Sequence, residues 1–176
     1  MTLFDRRTLL ELLADLAARL HRQGIRGELF VVGGAAMALA YSDRRSTRDV
    51  DAVFEPKLLV YEAARAVARA RGDLPEDWLN DAVKGFLPGP DAHARTVLDL
   101  PGLRVSVASP RYLLALKLLA ARVEQDEADI SELYRQCGFT TAEEGLALLA
   151  GTYPGRNVLP KVQFLLEEMF PSSTQP

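Results

Sequence analysis

The 176-residue chain holds one cysteine, Cys137, and two histidines, His21 and His93. A single thiol closes no internal disulfide, and a reducing cytoplasm is the simplest setting for such a sequence. One cysteine and two distant histidines do not assemble the usual tetrahedral zinc site. Nothing near either histidine supports a Ser-His-Asp or Cys-His arrangement. Any chemistry must then rest on carboxylates, hydroxyls and a lysine. Charges interrupt every apolar run, so none is long enough to span a bilayer. The segment Met1–Arg7 lacks the layout of a signal peptide. A basic excess is lacking too: the formal net charge of -3 argues against a surface built for general nucleic-acid binding, while a local basic patch stays possible. What is present is ordinary for a packed domain. Apolar residues make up 48% of the chain, and the length suits one domain or a core with a small appendage. There is no internal repeat and no low-complexity segment.

Hydrophobic periodicity predicts an amphipathic helix over residues 7–22, with Thr8 and Glu11 as a capping box and Gly24 and Gly27 ending it. A short buried strand follows at Glu28–Val32, then an Ala-rich helix at Ala35–Tyr41. Ser42–Arg48 is a polar loop with three arginines. Val50–Phe54 is a strand stopped by Pro56, and Leu58–Arg71 a second amphipathic helix. Glu76–Lys84 reads as a short helix. Thr96–Leu100 and Leu103–Ala108 form a hairpin pair around Pro101-Gly102. Ser109-Pro110 is a strong helix start, and helices follow at 110–122, 126–137, 141–149 and 159–169. The expected architecture is an α/β (α+β) fold: a core over residues 1–108 with a mixed sheet flanked by helices, a C-terminal helical bundle over 109–170, and a loose tail at 171–176.

Two stretches carry the chemistry. In Leu29-Phe30-Val31-Val32-Gly33-Gly34-Ala35-Ala36-Met37, an apolar run breaks into paired glycines and then a helix. Such a turn can present backbone N–H groups to a phosphate. In Arg45-Ser46-Thr47-Arg48-Asp49-Val50-Asp51, the alternation of a strand puts both carboxylates on one face. Two hard oxygen ligands suit Mg²⁺, and Mg²⁺ suits a nucleoside triphosphate (NTP). Each feature alone has a bland reading: a tight turn for the glycines, solvated carboxylates for the aspartates. The arginines, Arg44, Arg45 and Arg48, are a solvated loop or an anion contact. Trp78 reads as a core residue.

Taken together, these stretches resemble the polymerase-β-like nucleotidyltransferases. The loop before Asp49, with Tyr112-Leu113-Leu114-Ala115-Leu116-Lys117 and Asp126-Glu127-Ala128-Asp129-Ile130 further on, is similar to the AbiEii and MenT group of toxin nucleotidyltransferases and their uncharacterised relatives. The resemblance implies a minimal nucleotidyltransferase core. It implies Mg²⁺ on Asp49 and Asp51, phosphates held by Gly33, Gly34, Ser46, Thr47 and Arg48, and active-site roles for Lys117 and either Asp126 or Asp129. It also implies an NTP substrate, a tRNA 3′ end as acceptor and a cognate antitoxin; the interrupted apolar runs lead to the expectation of no membrane partner. Without the resemblance, Lys117 is a lysine whose ammonium snorkels to solvent, and Asp126 a charge favouring a helix dipole. Many members of the wider superfamily carry a third carboxylate on a later strand. Leu103–Ala108 offers none, and Asp99 or Asp129 is the candidate substitute. Small-molecule or protein acceptors, and a binding module without turnover, are the alternatives.

Overall fold

Asp5 starts the first helix. Its carboxylate accepts the Thr8 N–H at 2.8 Å and caps α1 (Arg6–Arg22). The start thus falls before the Thr8–Glu11 pair expected to form the cap. This computed structural model describes residues 3–43 and 45–171. Arg44 of the expected polar loop and residues 172–176 of the expected tail lie outside the described residues. One compact unit takes in residues 1–87 and 92–108; a second takes in 88–91 and the chain from 109 on.

The first unit is built on a sheet. Among the described residues five strands join in the order β3-β2-β1-β5-β4. They are β1 (Gly27–Val31), β2 (Val50–Glu55), β3 (Leu79–Asn80), β4 (Arg95–Leu100) and β5 (Leu103–Val107). β1 runs antiparallel to β2 and parallel to β5, β3 parallel to β2, and β4 antiparallel to β5. The sheet is mixed, as expected. Leu29, Val31, Val50, Ala52, Phe54, Val105 and Val107 are buried on one face. Gly27 sits on that face with Leu20 of α1, Leu103 of β5 and Val60 of α3 (Lys57–Arg71) closest to the space of its missing side chain. It therefore opens β1 and does not end α1. α2 (Gly33–Ala40) follows β1 directly and begins at the glycines themselves.

The short helix expected at Glu76–Lys84 does not form. Trp78 is fully buried and donates its indole N–H to the Ala64 carbonyl at 3.0 Å. The Trp78 carbonyl accepts the Val50 N–H at 2.6 Å, and the next two residues run beside Val50 and Asp51 as β3. A 3-10 turn at Ala82–Phe86 follows. Pairing with β2 satisfies the backbone that a local helix would have used. The Asp81 carboxylate then fastens this turn to α3, accepting from Tyr61 Oη at 2.7 Å and meeting Lys57 Nζ at 2.5 Å. The ammonium holds Asp81 below the usual carboxylate range, and Asp81 in turn raises Lys57.

The second unit is helical: α4 (Pro110–Ala120), α5 (Val123–Cys137), α6 (Ala142–Thr152) and α7 (Pro160–Met169). Ser109 caps α4, as its sequence predicts, and its own N–H and hydroxyl donate to Asp91. α5 starts at Val123, ahead of the expected Asp126, so Asp126 lies inside the helix. Tyr134 of α5 stacks on Phe170 with centroids 3.8 Å apart. Among the described residues no helix is long and apolar enough to cross a membrane.

Gly102, in the turn between β4 and β5, lies against α1. A Cβ there would overlap the Ala17 carbonyl oxygen and stand 2.7 Å from the His21 nitrogen. These are backbone atoms of a helix and cannot swing aside. Gly102→Ala should therefore destabilise the protein by about 1–3 kcal/mol in chemical denaturation, whereas Gly85→Ala, where nothing lies within 4 Å, should not.

Candidate functional site

β1 ends and α2 begins at one sharp corner. Val32 is extended, and Gly33 takes φ 63, a left-handed conformation that favours glycine. No side chain caps α2, and its first turn holds no acidic residue. The leading N–H groups of an α-helix have no partner within the helix. The corner thus presents backbone donors at the positive end of a helix dipole.

The two glycines make room for the second motif. A Cβ on Gly33 would stand 3.1 Å from Asp51 Oδ2, and one on Gly34 would stand 2.9 Å from Thr47 Oγ1. The Val32 N–H donates to the Asp51 carbonyl at 2.9 Å, tying the corner to β2. Thr47 is held from three sides. Its N–H and carbonyl pair with those of Phe4, its hydroxyl donates to the Asp49 carbonyl at 3.1 Å, and Gly34 abuts its side chain. Phe4, itself fully buried, is a positioning residue that sequence reading missed. Only the apolar character of an N-terminal residue pointed to it, since its partner lies far along the chain.

Asp49 immediately precedes β2, and Asp51 lies within it. Val50 between them is fully buried, so strand alternation turns both carboxylates to the opposite face. Both are half-buried, as are Ser46 and Thr47, and Arg48 is exposed. Asn80 of β3 stands beside Asp51 in register. The donors at this edge are all oxygens, which suits a hard cation. Among the described residues no three His, Cys, Asp or Glu side chains form a ready cage. Mg²⁺ does not require one, because it commonly binds through one or two carboxylates and completes its shell with water and substrate phosphate. The absent Cβ atoms of Gly33 and Gly34 let Asp51 and Thr47 close on the corner, so carboxylate, hydroxyl and backbone donors converge there. The residues present fit a metal-bound triphosphate. Asp99 is no substitute third carboxylate here: it is exposed on β4, pairs with Arg26 at 2.6 Å, and shares a cross-strand row with Arg104 and Glu28 near the other end of the strands.

The helical unit gathers the remaining candidates. Lys117 is 9% exposed, Asp126 8% and Asp129 4%. Lys117 Nζ lies 2.6 Å from Asp126 Oδ1 and 2.7 Å from Asp129 Oδ2. Residues three apart on a helix share a face, so α5 presents both carboxylates to the one lysine of α4. Lys117 does not snorkel. Both aspartates, not one, meet it.

Residues 7–144 match the family described as a nucleotidyltransferase of unknown function (DUF6036). No curated protein and no solved structure matches the chain.

Breaking a buried pair by removing one partner leaves uncompensated charge and costs about 3–5 kcal/mol, whereas apolar replacement of all partners is often neutral. Lys117→Met should therefore cost about 3–5 kcal/mol in chemical denaturation. The combined Lys117→Met, Asp126→Leu, Asp129→Leu variant should recover most of that loss. Equal loss in both variants would contradict an electrostatic clasp.

Proposed function

The chain belongs to this nucleotidyltransferase family, and on that premise we propose that it moves a nucleoside monophosphate from an NTP to an acceptor hydroxyl at the Asp49–Asp51 edge. The observation that carries the proposal is the fit of Gly33 and Gly34 around Asp51 and Thr47. A phosphate-binding corner and a carboxylate pair share one spot, which is the requirement of a metal-bound triphosphate. Asp49 and Asp51 hold Mg²⁺, which when bound supplies Lewis-acid stabilisation of charge on the α-phosphate. The N–H groups of Gly33 and Gly34 and the hydroxyls of Ser46 and Thr47 bind the β- and γ-phosphates, and Arg48 offers them a counter-charge. The acceptor oxygen attacks the α-phosphorus, the bond to the β-phosphate oxygen breaks, and pyrophosphate leaves.

Resemblance to the AbiEii and MenT group supports three finer assignments. Lys117 balances phosphate charge in the transition state. Asp129 or Asp126 takes the proton of the acceptor hydroxyl. The acceptor is a tRNA 3′ end, within a toxin–antitoxin pair. Helix α3 contributes less to such an RNA surface than its arginines suggest. Arg71 meets Asp15 at 2.8 Å, Arg69 meets Glu76 at 3.8 Å, and Arg65 lies over the Tyr61 ring. The RNA contacts then fall to the loop before Asp49. A second reading, a nucleotide-binding module without turnover, is favoured by the lack of a strand carboxylate on β5.

The test is incubation with each α-phosphate-labelled NTP, Mg²⁺ and total cellular RNA or lysate. Label should pass to RNA 3′ ends and vanish with chelator. Asp49→Asn and Asp51→Asn should each reduce transfer by about 100-fold or more, the scale of losing one group that stabilises transition-state charge. Mg²⁺ with NTP should raise the melting temperature of the wild type, because the pair binds only the folded state. Undiminished transfer in the Asn variants would overturn the site. A thermal shift without transfer would favour the binding module, and label on a protein or metabolite would reassign the acceptor.

A further inference from the structure

The face of the sheet that carries Asp51 continues into a cavity of about 340 Å³, within the usual range of small-molecule sites. Strand register defines it. Val53 stands opposite Phe30, and Phe30 stands beside Ser106; in the next row Glu55 stands opposite Glu28, and Glu28 beside Arg104. Side chains directly opposite on paired strands share a face. Asp51, Val53 and Glu55 alternate along β2, so all these residues lie on one face, and none of them is buried. At about 3.3 Å per residue, the Val53 row lies about 7 Å from Asp51 and the Glu55 row about 13 Å.

The cavity therefore has an apolar floor, Phe30 and Val53, and a polar far wall. Two glutamates directly opposite one another repel. Glu55 Oε2 is oriented by the Lys57 N–H at 3.1 Å. A group that brings N–H donors between the carboxylates relieves the repulsion; beside it Arg104 flanks Glu28, and both Arg104 and Ser106 meet Thr96 Oγ1 at 3.4 Å. A flat ring with an amino group on its edge matches a floor of this kind and a wall of this kind. Carboxylates accept from the exocyclic amines of nucleobases in the same manner.

Resting on the nucleotidyl-transfer reading above, we propose that this cavity seats the terminal base of the acceptor RNA and selects a base that carries an exocyclic amino group. The terminal ribose then lies between the cavity and Asp51, where its hydroxyl meets the α-phosphate. Glu28 and Glu55 are specificity-determining residues, and uracil, which has no exocyclic amine, is the base disfavoured.

The experiment measures binding of the full chain, with Mg²⁺ and a non-hydrolysable NTP, to three short single-stranded RNAs by fluorescence anisotropy. Their 3′ residue is adenosine, purine riboside (the same ring without the amine) or uridine. The wild type should bind the adenosine end about tenfold or more tighter than either other end, the scale of a hydrogen bond to a charged group. Glu28→Ala and Glu55→Ala should shrink that preference, and the double variant should bring the three ends within about twofold. Equal wild-type binding, or a preference that survives both substitutions, would overturn the proposal. So would displacement of the RNA by an aminocyclitol together with no preference among the three ends, which would assign the cavity to a small amine. A Mg²⁺–NTP thermal shift in the same samples separates the two readings. Shift without base preference overturns the cavity assignment alone, and no shift overturns both.

Discussion

The missing side chains of Gly33 and Gly34 are the constraint on which the rest of the candidate site depends. Asp51 Oδ2 and Thr47 Oγ1 occupy the approach to the places where two Cβ atoms would project. Any other residue at either position would press on those side chains, and at Gly33 it would also meet an unfavourable left-handed backbone. The close approach allows the N-terminus of α2 and the carboxylates of β2 to face one small volume. Charges of opposite preference, a helix end that attracts anions and a carboxylate pair that attracts a cation, then sit side by side. A metal-bound polyphosphate satisfies both.

Each compact unit organises itself around a different kind of contact. The sheet unit is tied by backbone pairing and close glycine packing: the Phe4–Thr47 bridge, β3 on β2, and Gly102 on α1. The helical unit has a charged centre, Lys117 between Asp126 and Asp129. A buried ion cluster seldom repays its desolvation as well as apolar packing would. Its use at the α4–α5 contact therefore favours a chemical or register-setting role for these three residues over a purely stabilising one.

Much of this was legible in the sequence because it is local. Period-two alternation placed Asp49 and Asp51 on the face opposite Val50, and the Ser109-Pro110 pair marked the start of α4. Spacing also put Asp126 and Asp129 on a common face. The burial of Lys117 was not legible from its own residues, which allowed its ammonium to snorkel; the resemblance alone gave it an active-site role. What escaped was non-local. The pairing of Trp78–Asn80 with β2 turned a plausible helix into an edge strand, and no feature of residues 76–84 encodes a partner elsewhere in the chain. Asp5 outcompeted Thr8 as the cap because its carboxylate reaches the Thr8 N–H, a choice between adjacent candidates that composition does not resolve. The bridge that holds Thr47 depends on Phe4, and the identity of Lys117's partners depends on how α5 turns back along α4.

The most direct measurement is a crystal structure of the full chain with Mg²⁺ and a non-hydrolysable NTP. The account predicts a metal held by the carboxylates of Asp49 and Asp51, with the β- and γ-phosphates against the N–H groups of Gly33 and Gly34 and the hydroxyl of Thr47. A nucleotide bound at another surface, or a metal whose ligands include neither aspartate, would contradict it.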